Sequence, residues 1–222
     1  MQQGSRMSVL HDQLNERLPP GMSIPRPLLR LYSWIEGKGL YRDIQTGRVG
    51  FLFPEDEMKA GCTGTQRPGG TRINFSAYGS RSLRDWFHHD RPEVLNRLCQ
   101  FARTGAEGSM ALLWLDDAGK QRIVHLGSGS GSTMCCVLAD DPVDFLRLIA
   151  VGYDEICWGD AFPKPPSANP DLLVQPNRDY QRWVRRTFSV SIPRTGMKIV
   201  KHPYDTPDSP DPFYRWVMQN VA

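Results

Sequence analysis

The sequence lacks long hydrophobic runs and any paired-cysteine pattern. No apolar run among the 222 residues is long enough to span a membrane, and the N-terminus lacks the charged start and apolar segment of a secretory signal. The five cysteines are odd in number and form no C-x-x-C pair, which argues against a disulfide framework or a thiolate metal site. We therefore expect a cytoplasmic protein with reduced cysteines, in which residues 1–6 resemble a cloning remnant before Met7.

The common catalytic signatures are also missing. There is no G-x-S-x-G, no H-E-x-x-H and no phosphate-loop lysine. The glycine-serine tract 127–132 precedes a β-like stretch rather than a helix, so it indicates a strand connection and not a nucleotide site. His88, His89 and Asp90 leave a metal-dependent hydrolase as an alternative, although no third ligand stands at a recognisable spacing. We expect no enzyme activity, no cofactor and no metal.

Composition is that of an ordinary globular protein. Apolar residues make up 40% and charged residues 23%, while the formal net charge is only +3. A charge this small does not by itself indicate a nucleic-acid partner.

The clearest local pattern is a β-hairpin followed by a strand and a helix. Ala111–Leu115 and Arg122–Leu126 flank a polar turn in which Gly119 suits a positive φ. A third strand is predicted over 133–139. The helix after it has Asp141 as N-cap, Pro142 in its first position, Asp144 as a capping-box partner and Gly152 as its stop, and should lie across the three strands.

Other elements are predicted on both sides of this centre. Periodicity and breakers indicate helices at 10–18, 27–36, 82–88 and 92–104, strands at 49–53 and 73–78, and a loop over 54–71. Beyond a proline-rich stretch, helices should begin after Asn177 and Asp211, with a β-like run at 197–200. We predict an α+β fold, a twisted antiparallel-rich sheet with helices packed against it, divided into a domain over 1–161 and a partly helical C-terminal appendage over 162–222.

Charged residues supply the candidate contacts. Acidic residues cluster in the predicted loop and around the central helix, and we predict that they bind a partner: Glu55, Asp56, Glu57, Asp140, Asp141, Asp154 and Glu155. Such a negative face suits a cationic active site or nucleic-acid groove on another protein. Alternatively, Arg178, Arg182, Arg185 and Arg186 with Trp183 form a basic stripe for a nucleic-acid-binding or regulatory module.

Three stretches resemble the SUKH superfamily, which includes the fungal cell-wall assembly regulator and many bacterial immunity proteins. They are Pro27–Tyr32, Val124–Ser132 and Asp141–Glu155, and the similarity is clearest between Phe101 and Trp158. The resemblance implies an α+β fold, no enzyme activity and, for bacterial members, neutralisation of a cognate polymorphic toxin, often a nuclease delivered between bacteria by type VI secretion. We expect no membrane partner and no direct nucleic-acid partner, and a homodimer is possible.

Overall fold

The computed structural model describes residues 8–57, 66–80, 82–168 and 173–221. Its helices and strands, in chain order, are α1 Val9–Asn15, α2 Arg26–Gly37, β1 Tyr41–Ile44, β2 Gly47–Gly50, β3 Gln66–Pro68, β4 Asn74–Gly79, α3 Leu83–Phe87, α4 Pro92–Leu95, β5 Leu98–Arg103, β6 Met110–Leu115, β7 Gln121–Leu126, β8 Cys135–Ala139, α5 Pro142–Val151, β9 Leu173–Gln175, α6 Arg178–Phe188 and α7 Pro212–Asn220. Seven strands form one antiparallel sheet in the order β1-β2-β4-β5-β6-β7-β8. The predicted α+β class, an antiparallel sheet with helices against it, is confirmed.

The predicted hairpin, strand and helix form the centre of this sheet. β6 and β7 pair in register around a turn with Gly119 at φ +75°, and β8 pairs with β7. Asp141 caps α5 by accepting a 2.8 Å hydrogen bond from the Val143 N–H, and the helix ends at Gly152 with φ +104°. The capping-box role predicted for Asp144 is wrong, because its carboxylate accepts instead from the Arg147 guanidinium at 2.5 Å.

Both faces of the sheet are covered by helices. On one face, α1, α2, α5 and α6 bury a large core around Phe75, Phe101 and Phe145. On the other face, α3, α4 and α7 pack a smaller core around Trp114 and Phe213. Side chains along a strand alternate between the two faces of the sheet, so the central strands contribute apolar side chains to both cores.

The helix predicted over 92–104 is wrong after its first turn. Only Pro92–Leu95 is helical, and Leu98–Arg103 is β5, a strand in the middle of the sheet. Leu98 packs in the smaller core, whereas Cys99 and Phe101 pack in the larger one. A strand buried on both faces has a nearly continuous apolar run, which periodicity alone does not separate from a buried helix.

Two other predicted elements also differ. The strand expected at 49–53 is shorter and earlier, Gly47–Gly50, and it pairs with β1, whose four side chains are all exposed. The β-like run at 197–200 is instead a 3-10 turn, Gly196–Lys198. The predicted loop 54–71 contains a helical turn at 55–57 and ends with β3, which pairs in parallel with β9, while 58–65 lie outside the described residues, as do residues 1–6.

The segment after residue 161 packs on both sides of the sheet. Through α6 it joins the larger core, where the Asn177 amide donates to the Leu52 carbonyl at 2.8 Å and the Tyr180 hydroxyl donates to the Leu146 carbonyl at 3.2 Å. Through α7 it covers the smaller core, with Trp216 against Trp114. No helix in the described ranges has the length and apolar character that crossing a membrane requires.

Candidate partner-binding site

Asp140 is neutralised by its own chain. Its carboxylate accepts hydrogen bonds from Arg122 at 2.9 Å and from Lys120 and Lys201 at 3.2 Å. Partial burial alone would raise the pKa of Asp140, but the three cationic donors outweigh burial and lower it to about 2. The charge of this predicted contact residue therefore ties the sheet to Lys201, although the Asp140 side chain itself remains 42% exposed.

The other acids near α5 lie at its two ends. Asp141 caps the N-terminus, whereas Asp154 and Glu155 follow Gly152 beyond the C-terminus, about 15 Å away for a ten-residue helix. Asp154 is buried and accepts a hydrogen bond from the Thr71 hydroxyl. The sequence predicted that these acids form one negative face. In the structure they lie at opposite ends of α5 and do not form a continuous one.

Glu155 has a different role, because it holds an exposed aromatic ring. Its carboxylate accepts a 2.7 Å hydrogen bond from the Trp158 indole N–H and a 2.9 Å hydrogen bond from the Ala106 N–H. Trp158 nevertheless remains 40% exposed to solvent. A tryptophan held in one orientation at the surface is the type of residue that dominates many protein interfaces.

A second exposed aromatic residue lies on the segment that packs against Gly159, the residue after Trp158. Gly159 packs on Pro203, so that a Cβ on the glycine would lie 2.6 Å from the Pro203 carbonyl oxygen. Trp158 and Tyr204, which is 46% exposed, flank this contact and form what we call the Trp158 patch. Asp160 is exposed next to it. Sequence analysis missed this patch, since Tyr204 is more than forty positions from Trp158 and only folding brings their segments together.

The acids of the predicted loop are more accessible. Glu55 accepts a 3.1 Å hydrogen bond from Arg42, and Asp56 and Glu57 are exposed on the same helical turn. Neither Asp56 nor Glu57 forms an ion pair with another described residue. Of the seven predicted contact residues, these two are therefore the most available to an external cation.

The predicted basic stripe forms one face of α6. Arg178, Arg182, Arg185 and Arg186 are exposed at positions i, i+4, i+7 and i+8 and line a shallow groove of about 420 Å³. Arg182 donates to Asp179 at 2.8 Å, whereas the other three guanidinium groups have no partner among the described residues. We call these four residues the arginine face.

His125 and the four described cysteines are buried inside the protein. His125 is buried, donates from Nδ1 to the Met134 carbonyl and accepts at Nε2 from the Thr104 hydroxyl, and burial lowers the pKa of its imidazole to about 4. Cys99, Cys135, Cys136 and Cys157 are buried thiols, and burial raises the pKa of Cys99 to about 12. Cys62 lies outside the described residues.

The alternative metal site has no support in the geometry. The His89 ring contacts the Asn220 carbonyl oxygen at 2.8 Å, and His88 ends α3 at φ +58°. In the described part of the chain, no three histidine, cysteine or carboxylate side chains come together as metal ligands.

The glycine-serine tract is a strand connection, as predicted. It links the antiparallel strands β7 and β8 and closes with a 2.9 Å hydrogen bond from the Gly127 N–H to the Met134 carbonyl.

Comparison with family models, curated proteins and solved structures gives no match to this chain.

Proposed function

We propose that this protein is an immunity protein, which binds a cognate secreted antibacterial toxin of the nuclease class in the cytoplasm and covers or distorts its active site. The SUKH resemblance of the central hairpin and helix suggests this function, and the α+β fold is compatible with it. The proposal assigns no catalytic residue, cofactor or metal to the chain.

The observation that carries the proposal is the fixed, exposed ring of Trp158. An interface gains affinity when an aromatic anchor is already oriented, because less side-chain freedom is lost on binding. Glu155 orients the indole, and Tyr204 and Asp160 extend the same surface. Aromatic residues at the centre with charge at the rim are typical of protein-binding surfaces.

Asp56 and Glu57 supply a second, electrostatic contact in this proposal. Nucleases bind a phosphate backbone through basic residues, so their active-site grooves are positively charged. Two exposed carboxylates without ion pairs among the described residues complement such a groove and accelerate association. Asp140 is a poor choice for testing this contact, because removing its charge leaves Lys120, Arg122 and Lys201 without their common counter-ion.

Replacing Trp158 with alanine should weaken toxin binding by about 30-fold or more, the loss expected for an aromatic interface anchor. Binding is measured by titration calorimetry against a catalytically inactive form of the cognate toxin, which is sought first as a toxin-like reading frame beside the gene for this protein. Tyr41→Ala is the matched control, since Tyr41 is an aromatic residue of similar exposure, 37%, on the outermost strand β1.

The two variants distinguish a specific interface from a general effect of removing an aromatic ring. Tyr41→Ala should bind like the unmodified protein, and both variants should unfold at nearly the same urea concentration as that protein. Unchanged affinity of Trp158→Ala would remove the Trp158 patch from the interface. Failure of the unmodified protein to bind or inhibit any toxin found in this way would reject the immunity function itself.

A nucleic-acid-binding function is the second candidate, and the arginine face favours it. Like charges spaced four residues apart destabilise a helix, so four arginines on one face cost stability unless an anion neutralises them. Three of their guanidinium groups are unpaired among the described residues, and arginine matches phosphate geometry through paired N–H donors.

If the arginine face binds nucleic acid, affinity for a labelled DNA or RNA duplex should fall steeply with salt. Each neutralised phosphate contributes about −0.9 to the slope of log affinity against log salt concentration, so four contacts give a slope of about −3 to −4. Fluorescence anisotropy at salt concentrations between roughly 50 and 200 mM measures this slope. The variant R182A/R185A/R186A should lose this binding. Absence of salt-dependent binding by the unmodified protein rejects this candidate.

A further inference from the structure

A cleft of about 440 Å³ lies where the end of α1, the end of β4 and the helices α3 and α4 meet. Its polar wall consists of Arg17, Tyr78, Ser80, Arg84, Asp90 and Asn96. The volume lies within the range of about 300 to 1,000 Å³ that is usual for small-molecule sites. We call it the α1–β4 cleft.

Two arginines converge on this cleft without counter-ions. Neither the Arg17 nor the Arg84 guanidinium forms an ion pair or hydrogen bond with any residue that the structure describes. Asp90, also on the wall, pairs with neither of them. The cleft therefore holds two positive charges and one negative charge, all accessible to a ligand.

The cleft beside β8 shows the opposite arrangement. That cleft, of about 250 Å³, is lined by Arg122, Lys201 and Asp140 among others. Lys201 donates to the Asp140 carboxylate, and Arg122 donates to both Asp140 and Asp116, so each cation has a carboxylate partner within the protein. Unpaired convergent arginines are thus a property that separates the α1–β4 cleft from this one.

The stem of Arg17 and the ring of Tyr78 are held in place at the α1–β4 cleft. Gly79, at φ +68°, lets the stem of Arg17 lie against the backbone, since a Cβ at this position would be 3.2 Å from the Arg17 Cβ. The Tyr78 hydroxyl donates to Asn74 at 2.8 Å, and the Arg103 guanidinium lies 5.4 Å from the Tyr78 ring centroid. These contacts limit the positions of the Arg17 stem and of one aromatic wall before any ligand arrives.

We infer that the α1–β4 cleft binds a small phosphate monoester. Arginine forks donate pairs of hydrogen bonds to phosphate oxygens, and a phosphate dianion neutralises Arg17 and Arg84 together. The Ser80 hydroxyl and Asn96 amide have no partner among the described residues and add neutral donors. Asp90 supplies an acceptor for a hydroxyl group on the organic part, which the Tyr78 ring covers.

Titration calorimetry at low salt tests this site with three probes: inorganic phosphate, glycerol 3-phosphate and a nucleoside monophosphate. All three should bind saturably, and the two esters more tightly than inorganic phosphate, because Asp90 and Tyr78 contact their organic part. The variant R17A/R84A should lose at least about tenfold in affinity for each probe, since each charge-assisted hydrogen bond contributes substantially to binding.

The variant R185A/R186A is the control. It also removes two positive charges, but from the arginine face, and should bind all three probes normally. Equal losses in both variants would show a general charge effect and overturn the site, as would the absence of saturable binding to the unmodified protein. Ser80→Glu places a carboxylate in the cleft without removing an arginine and should also abolish binding. If that variant still binds phosphate while remaining folded by circular dichroism, the cleft is not the site.

Discussion

Gly152→Ala should be among the most destabilising single substitutions in this chain, with a loss of about 3 to 5 kcal/mol in the free energy of unfolding. Gly152 ends α5 at φ +104°, where an L side chain is strained. A Cβ would also lie 2.7 Å from the Cα and 2.8 Å from the Cβ of Pro176. Because Pro176 directly follows β9, the added methyl group would push the β3–β9 ribbon away from the central helix. Urea denaturation measures the loss.

Two other glycines separate the causes of this effect. Gly119 has φ +75° and open space around it, so Gly119→Ala should show the conformational cost alone, about 1 to 2 kcal/mol. Gly37, at the end of α2, has neither a positive φ nor a neighbour within 4 Å of an added Cβ. Gly37→Ala should therefore stabilise the protein by about 0.5 to 1 kcal/mol. If Gly152→Ala costs no more than Gly119→Ala, the packing of Pro176 on Gly152 contributes nothing.

Local signals were sufficient to predict the central elements. The hairpin of β6 and β7 and the helix α5 were predicted correctly, because the turn around Gly119, the Asp141 cap and the Gly152 stop each lie within a few residues of the element they define. Sequence patterns were insufficient where the type of an element, helix or strand, depends on the elements that pack against it. β5 was predicted as a helix, and β1 was missed because its four exposed side chains show no apolar alternation.

The candidate sites were harder to predict, since charge in a sequence does not reveal its counter-ion. Asp140 is neutralised by Lys120, Arg122 and Lys201, which lie 20, 18 and 61 positions away along the chain. The α1–β4 cleft draws its residues from four elements, and no local motif connects Arg17 with Arg84. The arginine face was predicted correctly as a stripe, because its residues share one helix and the spacing of that helix determines their relative positions.

Asp211→Ala should cost about 3 kcal/mol, because one buried carboxylate joins α7 to the edge of the sheet. One oxygen accepts from the Phe213 and Tyr214 N–H groups at 2.9 and 3.0 Å and caps the helix. The other accepts from the Val137 N–H of the edge strand β8 at 3.0 Å. Burial raises the pKa of Asp211, although these three donors offset part of that effect. Alanine would leave all three N–H groups without this acceptor.

Asp141→Ala is the matched control, since Asp141 and Asp211 both cap a helix whose first residue is proline. Asp141 is exposed and its cap bond joins residues of one helix start, so its loss should cost only about 1 kcal/mol. Asp211→Asn should fall between, because it keeps the cap acceptor but turns an amide N–H₂ group toward the Val137 N–H. Amide hydrogen exchange at Val137 should accelerate in Asp211→Ala and remain unchanged in Asp141→Ala. Equal losses of stability in the two alanine variants would mean that the bond to β8 adds nothing, and that α7 is held to the sheet by its apolar contacts, such as those of Phe213 and Trp216 with Trp114.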